Sequence, residues 1–555
     1  MYPLTASYYD AKQKVWSGPQ CKDLYSPNIT LGEVICDALA KNPQKIIQID
    51  DATGEKLRCN QLLHYAKALA RNLLNLGLKP NDVISLYANN WTHVATLMLA
   101  CLLCGTPVNS LFPGFDRDTL ALIYNLTKPK IIFCELENCK IAQEVNSQLN
   151  LNAQIFVLNG NGVVPDGVSH IRDLLEFENV DKGDCYRFPC HELHGDDTAL
   201  ILCSSGTTGT PKGVLCSHRA LLNEHVLLTL KADSVIFGFS TLYWASGVFG
   251  LMACLINACL RIITSQPFTC DYFLDLAQRY RITHFLVGTN QMAQLSMYED
   301  VAKMQKCFES VDTMLVGGSK IPLAVQEKTR SILSCNAQRP GFAIAYGMSE
   351  IVDLVSCNIG YVSEYRQGSE GKLVGNKKVR IINKESQPVG PLEHGEICVL
   401  NPYPWRGYLN NEKATSKALV DNWLHTGDVG FFDADGFLHI CSRNIEVFKS
   451  NNFQIYPSLI EDVIYRIPGI AEVCVFGIPD IVASNLTACA VVRLANGVGS
   501  TLTAEHIDHH VQNCMSSVYH LNGGVYFVDK IPKTGSGKMQ RSKVLEIVMQ
   551  MKERK

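Results

Sequence analysis

Apolar residues in this chain follow two alternating patterns. Short runs such as DVISLYA (82–88), KIIFCE (130–135), QIFVLN (154–159), TALILC (198–203), RIIT (261–264) and THFLVG (283–288) alternate with stretches of helical period, HVATLMLACLLCG (93–105) among them. Strands alternating with helices predict an α/β fold of doubly wound, parallel sheets. From Lys372 to Ile440 the texture changes to short β-like pieces and turns (KLVGNKKVRIINKE, GEICVL, YPWRGYL, GFLHI), which predicts a small β-rich subdomain. After Arg443 a compact mixture of helices and strands resumes in PSLIEDVIYRI, AEVCVFGIP and LTACAVVRL. The expected organisation is a large N-terminal domain over 1–440 and a small α+β C-terminal domain over 443–555, with the cut near Ser442.

The stretch ILCSSGTTGTPKG, Ile201 to Gly213, joins an apolar strand-like run to a loop of glycines and hydroxylated residues. Glycines let backbone N–H groups approach an anion closely, hydroxyls add donors, and Lys212 adds charge, so the loop is suited to phosphate. Leu222, Val226 and Leu230 follow at helical spacing, so the order reads strand, loop, helix. The common P-loop needs Lys directly after Gly and then Ser or Thr, whereas Pro211 precedes Lys212 here and Gly213 follows it. Gly206 and Gly209 also lack dinucleotide-fingerprint spacing. A flexible Ser/Thr/Gly linker is the bland alternative, but a linker rarely sits between a strand and an amphipathic helix.

Composition narrows the partners. Charged residues make up 19% and the net charge is −3 with no basic block, which argues against nucleic acid or an anionic membrane surface. The most apolar stretch, near Ala95 to Cys104, is too short to span a bilayer, and the N-terminus lacks the apolar core of a signal peptide. Twenty-two scattered cysteines fit a reducing compartment better than a disulfide scaffold. The cytosol is the expected compartment, with the peroxisome as alternative, although MKERK is not an SKL-type address. Cys101 and Cys104 form a CxxC inside an apolar run and read as a buried helix face. His506, His509 and His510 read as a surface helix, and CHELHGDD (190–197) as a polar connector, rather than as metal sites.

Further motifs follow in order: AYGMSE (345–350), LHTGDVG (424–430), CSRNIEVFKSNNFQIYP (441–457) and PKTGSGKMQR (532–541). With the Ile201–Gly213 loop, they resemble the acyl-adenylate-forming superfamily, which includes acyl-CoA synthetases, 4-coumarate ligases, beetle luciferases and the adenylation domains of peptide synthetases. The nearest resemblance is to insect luciferase-like acyl-CoA synthetases. It implies a reaction joining a carboxylate to the α-phosphate of ATP, with loss of pyrophosphate and then transfer of the acyl group to a thiol. Ser204, Ser205, Gly206, Thr207, Thr208 and Gly209, with Lys212, would clamp the phosphates, and Mg²⁺ would sit on Glu350 with help from Ser204. From sequence alone, Glu350 reads equally as a surface acid after a tight turn.

The same resemblance places Tyr346 on the adenine face, where stacking contributes roughly 1–3 kcal/mol by analogy with bases, with Ser319, Gly347 and Ser349 beside the nucleotide. Asp428 would accept hydrogen bonds from the ribose hydroxyls and Arg443 would be the second ribose contact. Lys538, in GSGKM, would stabilise charge developing during adenylation, and Lys449 would serve the thioester-forming half. Two lysines serving one site in succession imply that the C-terminal domain is mobile, turning at a hinge near Ser442. Gly317, Gly318 and Ala345 match the floor and wall of the acyl pocket, with Trp244 nearby.

Three departures stand out. Ser442 replaces the usual hinge Asp, Asn452 replaces a Gly beside the thiol channel, and Trp244 and Ala245 stand where relatives often carry a substrate-contacting His. Trp244 reads equally as an aromatic gate or as core packing. Ala345 replaces a frequent Gly and narrows the pocket. The expectation is a monomeric, ATP-dependent acyl-CoA synthetase using ATP, Mg²⁺ and coenzyme A on a medium- or long-chain fatty acid. The alternatives are a luciferase-like or 4-coumarate-type ligase for an aromatic acid, or a non-catalytic acyl or nucleotide binder.

Overall fold

The computed structural model describes all residues except 1–4, 161–162, 177–186, 205–210, 224–229, 334–340, 360–364, 404, 444–445, 451–452, 481–484, 496–501, 535–537 and 554–555. Two large sheets carry the first part of the chain. One is seven-stranded, in the order 212–217, 198–204, 108–111, 84–87, 131–134, 154–157 and 168–170. The other is nine-stranded and runs 372–373, 353–359, 341–348, 313–317, 284–288, 235–237, 260–263, 46–50 and 56–58. Their inner pairs are parallel, as at Leu86↔Ser110 and Leu315↔Ala343. Strands such as Ile131–Cys134 are buried throughout, because helices cover both faces of a parallel sheet.

The helix Val94–Cys104 is buried at every position, which accounts for its lack of a polar face. Leu97, Met98 and Leu99 share one core with Leu31, Leu69, Ile84 and Leu251 from neighbouring elements. Each such side chain contributes roughly 1.5–3 kcal/mol through burial. Cys101 and Cys104 are free thiols in this core, and Gly105 ends the helix in a left-handed conformation at φ 70°.

The β-rich region forms a further seven-stranded antiparallel sheet, and it recruits the N-terminus. The hairpin Tyr8–Asp10/Val15–Ser17 joins Lys378–Ile382 through Trp16↔Val379, and Trp16 stacks on Phe432 at 4.6 Å. The last part of the chain has its own three-stranded sheet, built from Ile470–Asp480, Asn485–Leu494 and Val525–Phe527. Among the described residues, its cores draw on Phe448 and residues after it.

One expectation is corrected. After the phosphate-suited loop comes not a helix but the strand Lys212–Ser217, antiparallel to Thr198–Ser204 with Ser204 opposite Lys212. A helix follows only at His218–Leu222; Val226 lies outside the described residues. KGVLCS is buried in the pattern of a sheet strand, and its pairing with the apolar run before the loop outweighs the helical spacing downstream.

Candidate active site

Four segments, two of them consecutive strands of one hairpin, meet at the end of the nine-stranded sheet. The strand Gly341–Met348 brings Tyr346, the strand Trp423–Phe432 brings Asp428, and the strand Leu438–Arg443 brings Arg443. Asp428 and Arg443 are direct partners in an antiparallel pair. Tyr346 donates its hydroxyl proton to Asp428 Oδ2 at 2.8 Å, and Arg443 Nε lies 2.8 Å from Asp428 Oδ1. Each carboxylate oxygen therefore has a partner, as a buried anion requires. Burial, and then Asp428, raises the Tyr346 phenol well above its ordinary range. Burial opposes the Arg443 charge, but Asp428, Tyr346, Glu446 and Glu350 outweigh it and raise its pKa.

Lys538 reaches this cluster from the far end of the chain. Burial first, and Arg443 next, lower its pKa, while Asp428, Glu350 and Glu446 act the other way. The residue as a whole is nonetheless exposed. Both observations fit a side chain reaching into an open cleft. Its backbone is clasped: Thr534 N–H donates to the Lys538 carbonyl at 2.7 Å, and Lys533 bridges to Met539.

Glu350 is buried, and its Oε1 accepts a hydrogen bond from the Tyr408 hydroxyl at 2.8 Å. Lys212 Nζ lies 4.8 Å from the centre of the same Tyr408 ring, and Trp405 packs edge-on against it at 4.7 Å. Tyr408 is anchored to the loop's outgoing strand through a bridge to Val214. One tyrosine thus ties Lys212 to Glu350. The sequence reading missed it, although YPWRGYL is an aromatic-rich turn between strands and offered a signal. Burial and then Glu350 raise its phenol far above the usual range, so it stays a donor. A buried carboxylate with one oxygen occupied by a hydroxyl and the other left to accept suits a hard divalent cation.

Of the remaining expected residues, Gly317 pairs with Ala345 across parallel strands, and a Cβ on Gly317 would meet the Ala345 carbonyl at 2.9 Å. Gly318 has φ +104°, a conformation suited to glycine, and Ser319 Oγ lies 2.5 Å from Thr289 Oγ1. Gly347 pairs with Leu354, and Ser349 lies in the turn before Glu350. Ser205, Gly206, Thr207, Thr208, Gly209 and Asn452 lie outside the described residues. Lys449 is opposite Gln454 in a two-stranded ribbon. Ser442 is a buried strand residue opposite Val429. Trp244 is half-buried and packs edge-on against Tyr243 at 4.3 Å, with Phe112 at 6.4 Å.

Leu315 and Ala343 occupy the same sheet face as Gly317 and Ala345, one pair further along. They line an apolar cavity of about 40 Å³, with Gly250, Ala253, Phe285 and Leu286. The only titratable groups in its wall are His284 and Cys357. Burial holds His284 neutral, with its pKa lowered to about 4.

A doubly wound α/β body, a small α+β unit after Phe448, and a loop lysine brought onto a Tyr–Asp–Arg cluster define the class of adenylate-forming enzymes. The chain belongs to the AMP-binding enzyme family, whose sequence profile matches residues 36–409; the profile of the AMP-binding enzyme C-terminal domain matches 459–538. It is 27% identical over 503 residues to a luciferin 4-monooxygenase of Photuris pensylvanica, covering 88% of this chain and 89% of the relative. It is 26% identical to 4-coumarate–CoA ligase 1 of Petroselinum crispum, covering 94% of each. Among solved structures, an anthranilate CoA ligase bound to anthranoyl-AMP superposes with a TM-score of 0.83 at 18% identity, covering 94% of this chain and 98% of that one. ATP-bound MatB from Rhodopseudomonas palustris superposes at 0.81 and 22% identity, covering 94% and 99%. No described helix is long and apolar enough to cross a membrane.

Proposed function

We propose that this chain activates a compact, apolar carboxylic acid with ATP and transfers the acyl group to coenzyme A. The reaction class is that of an AMP-forming acid–thiol ligase. The observation that carries the finer reading is the meeting of Lys538 with Asp428, Arg443 and Glu350. In this arrangement Tyr346 flanks the adenine, Asp428 accepts from the ribose hydroxyls, and Arg443 orients Asp428 while meeting the ribose. Ser204, the 205–209 loop and Lys212 hold the phosphates. Ser319, Gly347 and Ser349 border the nucleotide.

The carboxylate of the acid attacks the α-phosphate, and pyrophosphate leaves. Lys538 places its ammonium against the negative charge that builds up between them, a contribution of a few kcal/mol for a preorganised donor. Bound Mg²⁺, held by Glu350 with Ser204, would neutralise the phosphate charge that otherwise repels the acid. Lys449 serves the second half, when the C-terminal domain, 443–555, has turned on the N-terminal domain, 1–440, about a hinge near Ser442. Retention of both lysines argues against a mere binder, since binding needs neither.

The apolar wall supports a hydrocarbon or aryl tail, bounded by Gly317, Gly318 and Ala345, with Trp244 at its outer rim. Relatives that are ligases for 4-coumarate and 2-succinylbenzoate favour a compact acid. A medium- or long-chain fatty acid would require the helix Ala245–Asn257 to move off the sheet. The test is to incubate the protein with ATP, coenzyme A and a panel of aryl and straight-chain acids, following pyrophosphate and acyl-CoA. Turnover of aryl or short acids is expected; preference for long chains would overturn the size assignment, and no pyrophosphate with any acid would overturn the enzyme reading.

A further inference from the structure

Three residues before Asp428 on the same strand, His425 meets Glu396 and Cys398, and the three bring an imidazole nitrogen, a carboxylate oxygen and a thiol sulfur within 4.8 Å of one another. Two adjacent strands hold them. Cys398 and His425 are direct antiparallel partners, and a register shift between Glu396 and Cys398 marks an irregular ladder there. His425 Nδ1 lies 3.1 Å from Glu396 Oε2, while Glu396 Oε1 accepts the Gly427 N–H at 3.2 Å. Cys398 is buried, whereas Glu396 and His425 are 23% and 21% exposed, so the group opens to solvent on one side.

One thiolate, one imidazole and one carboxylate match what borderline-soft divalent ions take when three protein ligands leave a fourth position open. Magnesium and calcium prefer oxygen alone. We propose that Glu396, Cys398 and His425 bind a single zinc-class divalent ion, with water in the fourth position. Binding breaks the Cys398 S–H bond, releases its proton to solvent and forms a metal–sulfur bond. His425 binds through Nδ1 with its proton on Nε2, and Glu396 exchanges its contact with His425 for the ion. No group changes oxidation state. Arg380, the partner of Cys398 on the next strand, brings a cation beside the thiol. The Arg380 guanidinium is held over the Trp423 ring at 4.4 Å.

The test is a Co²⁺ titration of the full chain, followed by thiolate-to-cobalt charge-transfer absorption. One equivalent should saturate the band. Cys398→Ser should abolish it, and His425→Gln should weaken binding by more than about tenfold. Cys514→Ser, beside His510 on the helix Ala504–Cys514, should leave it unchanged. If Cys398→Ser does not fold, His425→Gln alone decides. No band, unaltered affinity in His425→Gln, or a band that survives Cys398→Ser and disappears with Cys514→Ser would overturn the assignment.

Discussion

At the scale of single residues, Tyr408 and Lys538 separate binding from chemistry. Tyr408→Phe keeps the ring that packs on Trp405 and lies beside Lys212, but removes the hydroxyl bonded to Glu350. A hydrogen bond to a charged group contributes about 1.5–3 kcal/mol. Pyrophosphate release should therefore slow by roughly tenfold or more, with partial rescue at high Mg²⁺ and a melting temperature lower by a few degrees. An unchanged rate at every Mg²⁺ concentration would remove Tyr408 from the site. Lys538→Ala should cut adenylate formation by roughly 10²–10³-fold, while thioester formation from supplied acyl-AMP stays largely intact. Equal loss of both halves would refute the division between the two lysines. Tyr346, Asp428, Arg443 and Lys538 could be read from motif order because each sits in a distinctive local string. Tyr408 could not, since its role comes from a strand pairing with Val214, which lies far away in sequence.

At the scale of elements, the alternation of apolar runs with helical periods was enough to anticipate the parallel sheets and the β-rich region. Two assignments depended on long-range pairing and were beyond it. The strand Lys212–Ser217 exists because it pairs back on Thr198–Ser204. The polar, aromatic N-terminus becomes a hairpin because Trp16 finds Val379 and Phe432 more than 300 residues later. Element-level packing also exposes a sensitive point. In the helix Ala245–Asn257, a Cβ on Gly247 would lie 2.0 Å from the Thr241 carbonyl, so Gly247→Ala must displace the helix start. It should destabilise the protein by about 1–3 kcal/mol, read as a lower urea midpoint at unchanged slope. That helix lines the apolar cavity through Gly250 and Ala253, so acid preference should shift as well.

At the scale of the molecule, the late part of the chain is held against the earlier part by polar contacts. Lys320 Nζ lies 2.9 Å from Asp462 Oδ2, Ser458 bonds the Cys441 carbonyl, and Lys533 reaches Asn290 at 3.3 Å. Glu370 lies beneath this contact, with Oε2 accepting the Ile440 N–H at 2.9 Å. Burial pushes its carboxyl up to about 7, with Asp462 adding to the rise and Lys320 and the Ile440 N–H opposing it. The packed arrangement thus binds a proton that a separated or unfolded one releases. Between about 4.5 and 7 it loses stability as pH rises, and above both values the loss levels off. The fraction of molecules with Lys538 at the nucleotide cluster, read by energy transfer between labels on the two parts, should fall across that window. Glu370→Gln should flatten the profile; a flat wild-type profile would exclude Glu370 as the sensor.

The clasp between Thr534 and Lys538 has a consequence for how a catalytic cycle ends. Because the lysine is fastened to its own body, it would leave the cleft in the turn proposed above. With it present, the carboxylates Glu350 and Asp428 face two cations, Arg443 and Lys538. Without it, the cleft loses one positive charge, and its hold on any anion still inside would weaken. The turn that admits the thiol would then also release pyrophosphate, coupling exit of the first product to entry of the second nucleophile with no separate gate.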